Sequence, residues 1–113
     1  VLALEDFLVH GLKYVYPPQP GAVVRGVATS FSAEPIKSKV RQGSDSFVWP
    51  YKYGSDRGQS VEPLYWTVPE ACLKDSLLYE LLVIADTLRM GRVREMEIAI
   101  SELKKRLNDY AKP

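Results

Sequence analysis

Apolar residues recur at helical spacing from the start of the chain. Leu4, Phe7, Leu8, Leu12 and Val15 fall three to four positions apart and predict an N-terminal helix. The pattern then breaks. Between Pro17 and Pro63 lie six of the eight prolines and five of the seven glycines, so no long helix can run through this stretch. Within it, Ala22 to Val27, Phe47 to Trp49 and Gln59 to Trp66 have the length and composition of short strands, with Tyr53-Gly54-Ser55-Asp56 as a turn. Phe31, Phe47, Trp49, Tyr51, Tyr53, Tyr65 and Trp66 supply a packing surface that a structureless loop would not need.

Helical signals return after Trp66. Thr67-Val68-Pro69-Glu70 reads as a capping box with proline in the first turn, opening a short helix through Cys72. Asp75 is a second N-cap candidate. It precedes Leu77, Leu78, Leu81, Leu82, Ile84, Ala85 and Leu88, an apolar surface too wide for one stripe, which predicts a buried central helix ending near Met90 with Gly91 as a left-handed stop. A third pattern runs from Arg92 to Tyr110. Val93, Met96, Ile100, Leu103, Leu107 and Tyr110 alternate three and four apart, the seam of a helix packed on another helix, with Glu102 and Arg106 pairing on its exposed side. The predicted class is α+β: an N-terminal helix, a Pro/Gly-rich middle of short strands and loops, and two C-terminal helices.

The chain has 113 residues, one domain's worth, and its 15 Lys+Arg against 14 Asp+Glu exclude a polycation or an acidic tail. No apolar run approaches the roughly 20 residues of a membrane span, and no signal-peptide pattern opens the sequence. Because the apolar pattern is already running at Val1, the sequence reads as a piece of a longer protein. One cysteine and one histidine leave no disulfide framework and no zinc set, so no metal or cofactor is expected and a reducing, cytoplasmic setting is. Residues 22–57 carry six basic and three acidic groups, densest at Lys37-Ser38-Lys39-Val40-Arg41; such a run could touch phosphates, but three cations among Ser and Gly read first as a solvated loop.

No nucleophile elbow, phosphate loop or Cys-x-x-Cys is present. Cys72, in an apolar helix, reads as a small buried hydrophobe, and His10, just before Gly11, as a helix C-terminal cation or a core group. Two Arg-Gly dipeptides stand out, Arg25-Gly26 and Arg57-Gly58. A guanidinium forks onto a carboxylate or phosphate, and a following glycine lets the backbone approach what is held. Trp49, Tyr51 and Tyr65 could wall a pocket around such an anion. The competing reading pairs each arginine with an internal acid such as Glu62 or Asp56.

Several motifs together resemble the C-terminal portion of a group of small bacterial transcriptional regulators that carry a winged helix-turn-helix ahead of it. They are Phe7-Leu8-Val9-His10-Gly11, Lys13-Tyr14, Arg25-Gly26, Thr29, Val48-Trp49-Pro50, Arg57-Gly58-Gln59, Glu62-Pro63-Leu64-Tyr65, Val68-Pro69-Glu70-Ala71, Tyr79-Glu80-Leu81-Leu82 and Arg89-Met90-Gly91-Arg92. Pro17, Pro18 and the Lys37 to Arg41 run depart from that pattern. The resemblance implies a non-enzymatic dimerisation or sensing domain, with DNA read only by an N-terminal module outside these residues. It implies no catalytic residues. The Val93 to Tyr110 seam packs either on the Leu77 to Leu88 helix within the domain or across a homodimer, the symmetric partner that a regulator reading a two-fold DNA site implies. Two alternatives stand beside this reading: an anionic-ligand binding or enzymatic domain using Arg25 and Arg57, and a protein–protein module of toxin–antitoxin type.

Overall fold

The computed structural model describes residues 2–15, 19–39, 46–65 and 67–111. The fold is α+β, as the patterning predicts. Helix α1 (Leu2–His10) and the single turn α2 (Leu12–Val15) are separated at Gly11. Three short strands follow, β1 (Val23–Ala28), β2 (Phe47–Pro50) and β3 (Asp56–Ser60). Helices α3 (Val68–Lys74), α4 (Ser76–Met90) and α5 (Val93–Ala111) complete the chain.

The strands close into a small barrel. Strand β1 runs antiparallel to both others, pairing Gly26, Val27 and Ala28 with Pro50, Trp49 and Val48, and Val23 to Gly26 with Gln59 to Asp56. Strands β2 and β3 close it in parallel, Phe47 beside Gln59 and Val48 beside Ser60. So tight a ring leaves no room for side chains where backbones cross. A Cβ on Gly26 would overlap the Trp49 carbonyl, and one on Gly58 would lie 2.7 Å from the Ser46 carbonyl carbon and oxygen. The glycines of the two Arg-Gly dipeptides therefore admit the chain's own backbone, which corrects the expectation that they admit a ligand.

The third strand starts and ends earlier than its apolar stretch suggests. Pairing with β1 fixes Asp56 to Ser60 as the strand, and the bend lies at Tyr51 to Gly54, where the Gly54 amide donates to the Tyr51 carbonyl at 3.0 Å. Trp66, Val40 and Arg41 of the sequence reading, with Pro17 and Pro18, lie outside the described residues.

The core lies between barrel and helices. Val27, Ile36, Trp49, Val68, Cys72, Val83, Ile84, Leu88, Ala99 and Leu103 form it, with Leu8, Val9, Leu82 and Leu107 packed at its margin. Helix α4 is buried without interruption from Val83 to Arg89, whereas its first turn is exposed at Leu77 and Leu81 is only half-buried. Asp75 caps it as predicted. Its backbone is extended, and Oδ1 accepts from the Leu77 and Leu78 amides, both at 3.1 Å. The Thr67 capping box does not form, because Thr67 already has helical backbone angles (φ −87°, ψ 0°) and its side chain makes no cap bond. Nor is Gly91 left-handed: at φ −70° and ψ 153° it is extended. Glycine is needed there because a Cβ would sit 2.6 Å from the Thr87 carbonyl oxygen.

Helices α4 and α5 are joined only by Gly91-Arg92 and pack on each other. The α5 seam is thereby spent inside the domain. Leu103 is 2% exposed, Ile100 and Leu107 line the core margin, Met96 is half-buried, and Val93 stands outside at 74%. The Tyr110 side chain lies outside the described residues. Among the described residues no helix is long and apolar enough to cross a membrane.

Candidate functional site

The register places Arg25 directly opposite Arg57 on neighbouring antiparallel strands. Facing residues of such a pair project to the same side of the sheet. Both are exposed, on the outside of the barrel. Like charges in facing positions destabilise a sheet, so the placement is one that folding alone does not favour. Asp56 precedes Arg57, is likewise exposed, and its charge helps raise the Tyr79 phenol. Neither arginine forms an ion pair with an acid among the described residues, so the expected pairing with Glu62 or Asp56 is not seen.

The bend after β2 lies alongside. The Tyr51 amide donates to the Arg25 carbonyl at 3.1 Å, and Gly54 packs against the backbone of Gly26. Tyr51 and Tyr53 meet edge to face with ring centroids 5.6 Å apart, and Lys52 Nζ lies 4.9 Å from the Tyr53 ring centre. Lys52 and Tyr53 are exposed, Tyr53 at 72%. This third cation and its ring were not singled out as a site from sequence, although Lys52 between two tyrosines, five residues before Arg57, is a readable signal.

Trp49 belongs elsewhere. It is 1% exposed, and its indole Nε1 donates to Asp86 Oδ2 at 2.6 Å, so it cannot wall a pocket at the arginines. Tyr51 is half-buried against the core and its backbone amide bonds the arginine strand; Tyr65 is exposed on the segment after β3. Two open clefts are described. One, of about 610 Å³ between α1 and α5, is lined in part by Glu5, Asp6, His10 and Lys104; the other, of about 440 Å³, by Gln19, Pro50, Ser60, Glu62 and Pro63. Neither is lined by Arg25 or Arg57.

The strongest polar chemistry is internal. Asp86, on the buried run of α4, accepts from Thr29 Oγ1 at 2.6 Å, from Trp49 Nε1, and from Arg89 Nη1 at 2.7 Å. Arg89 also donates to the Glu62 carbonyl at 3.3 Å. Asp86 and its partner Arg89 thus tie the residue after β1, strand β2 and the segment after β3 to the central helix. Burial raises the Asp86 carboxyl above its ordinary value, and the donors from Thr29, Arg89 and Trp49 offset this only in part. Next to Thr29, Ser30 holds a left-handed φ of 55° while fully buried, and its hydroxyl has no hydrogen-bond partner among the described residues. Tyr79 donates to the Ala28 carbonyl at 2.6 Å, and burial followed by the Asp56 charge pushes its phenol up to about 12.

Glu102 is the second internal hub. Lys39 and Lys105 donate to its Oε2, and Arg106 donates to its Oε1 at 2.9 Å while also reaching Glu80 at 3.4 Å. The predicted Glu102–Arg106 pair is present, but on a residue 4% exposed rather than on an exposed face. Burial raises the Glu102 carboxyl, and the hydrogen bonds from Lys39 and Arg106 outweigh it, holding the group at about 2. Lys39, the described end of the basic run, is therefore tied down rather than freely solvated.

Cys72 is 2% exposed, and burial, then the charges of Asp75 and Asp86, pushes its thiol up to about 11, the opposite of an activated nucleophile. His10 is exposed on α1 with Nε2 3.9 Å from Asp6 Oδ1. No group of three or more His, Cys, Asp or Glu is placed to hold a metal among the described residues. No family model, no curated protein and no solved structure matches this chain.

Proposed function

We propose that this chain is the non-enzymatic sensing domain of a bacterial transcriptional regulator, acting in the cytoplasm through the outer face of its barrel while a separate winged-helix module reads DNA. The motif resemblance supplies the context. The observation that carries the reading is the Arg25–Arg57 pair: two exposed cations set face to face on adjacent strands, at a cost to the sheet, without an acid of the described chain to neutralise them. Charge kept where folding opposes it is charge available to a partner. The contrast with Asp86 and Glu102, whose hydrogen bonds are turned inward to hold the domain together, supports the same division. Because Ala99 and Leu103 of the α5 seam serve the domain's own core, sensing has more support than dimerisation through that helix.

The test joins the chain to the DNA-binding part of an unrelated winged-helix repressor and reads an operator-driven reporter in bacteria. Repression by the fusion should change when Arg25 and Arg57 are both replaced by glutamine, at equal protein level. Identical repression by the fusion, the double variant and the DNA-binding part alone would overturn the reading.

A further inference from the structure

We infer that the outer barrel face binds single-stranded nucleic acid, with Arg25 and Arg57 on its phosphates and Tyr53 as a platform for a base. This rests on the reading that this face is the acting surface, and adds the chemistry of what it meets.

The shape of the face comes first. The outside of a closed barrel is convex, and the two guanidinium-bearing residues stand on it in the open. A small anion is best held in a concave, desolvated site, whereas exposed cations on a convex face suit a ligand that carries its charge along its own outside. A phosphodiester backbone is such a ligand. Two cations at one rung of adjacent strands can reach neighbouring phosphates, and Lys52 extends the positive charge onto the bend that covers Gly26. Asp56, the exposed neighbour of Arg57, forms no ion pair with either arginine.

The aromatic residue decides between duplex and single strand. Tyr53 is 72% exposed, its ring edge to face with Tyr51 and with Lys52 Nζ over it 4.9 Å from the centroid, so the ring is held while most of its surface stays open. An exposed ring beside cations stacks on an unpaired base, and a duplex has none to offer. Three cations and one ring predict weak, strongly salt-dependent binding, with Kd of about 10–100 μM at low salt.

Fluorescence anisotropy of the 113-residue chain with a labelled mixed-sequence single-stranded 20-mer tests this, with the matching duplex and inorganic phosphate as comparison arms. The wild type should bind the single strand more tightly than the duplex. Arg25→Gln with Arg57→Gln should weaken binding about tenfold and reduce the logarithmic salt slope by about two phosphate contacts. Tyr53→Ala should weaken it several-fold with little change in slope, while Lys74→Gln, removing an exposed cation already paired with Glu70, should leave it unchanged. Circular dichroism confirms that each variant is folded. Equal affinity of wild type and double variant, tighter binding of the duplex, or competition by inorganic phosphate beyond that of chloride at equal ionic strength would each overturn the inference. A fusion that responds to the two arginines in cells while the oligonucleotide fails to bind would discard the ligand and keep the sensing face.

Discussion

Acid stability offers the sharpest test of the interior, through Glu102. Its carboxyl ionises at about 2 in the fold against 4.5 in the open chain. A lowered carboxyl contributes stability that is complete above its unfolded value and is lost as pH falls toward its folded value, here between about 4.5 and about 2. At 1.36 kcal/mol per pH unit of difference the full contribution is about 3 kcal/mol, and exposure of Lys39 and Lys105 at 44% and 61% screens it to about 2 kcal/mol at ordinary salt. Asp86 runs the other way, because its raised carboxyl favours the fold as protons are added. The wild-type curve alone therefore mixes opposite slopes, and its difference from a Glu102→Gln curve isolates the glutamate. Urea unfolding followed by helical circular dichroism between about pH 6 and pH 2.5 measures both proteins. The wild type should lead by about 2 kcal/mol at neutral pH and lose most of that lead on acidification. A difference that stays constant within about 0.5 kcal/mol across the range would refute the ionised, cation-held glutamate.

Removing the other hub should be harsher: Asp86→Ala strands a guanidinium 4% exposed and two donors, costing about 3–5 kcal/mol in urea midpoint analysis, and a cost below about 1 kcal/mol would deny the buried network. Gly58→Ala should destabilise the barrel by more than about 1 kcal/mol, whereas Arg57→Gln beside it should leave thermal stability unchanged or slightly raised by removing like-charge repulsion. Cys72 should resist a thiol reagent in the native protein and react on unfolding; rapid labelling at neutral pH without unfolding would contradict its burial.

Features governed by neighbours in sequence were the legible ones. Asp75 announced its cap because an N-cap needs only the two amides that follow, and the wide apolar surface of α4 announced burial because helical spacing alone brings Val83 to Leu88 to the core. What depended on distant segments was not. Trp49 stood near the arginines in sequence and so joined their site, but a four-residue strand cannot reveal which side faces Asp86, 37 residues away. Glu102 looked like half of a surface pair because Lys39 reaches it from 63 residues back. Gly91 fitted a handedness rule, while its need arises from a carbonyl one turn behind it. The Arg-Gly dipeptides stood out in the sequence, yet the role of each glycine waited on knowing which strand crosses it.

Those dipeptides carry two separable demands, and a complete single-substitution library would show it. At Gly26 and Gly58 the crossing backbone excludes every side chain regardless of polarity, so variants should drop out of a folding or abundance screen almost uniformly. One position earlier, where the chain meets only solvent, abundance should tolerate most replacements and discrimination should emerge only when the screen selects for activity. Adjacent positions would thus carry opposite mutational signatures: one blind to chemistry and ruled by volume, the other blind to volume and ruled by charge.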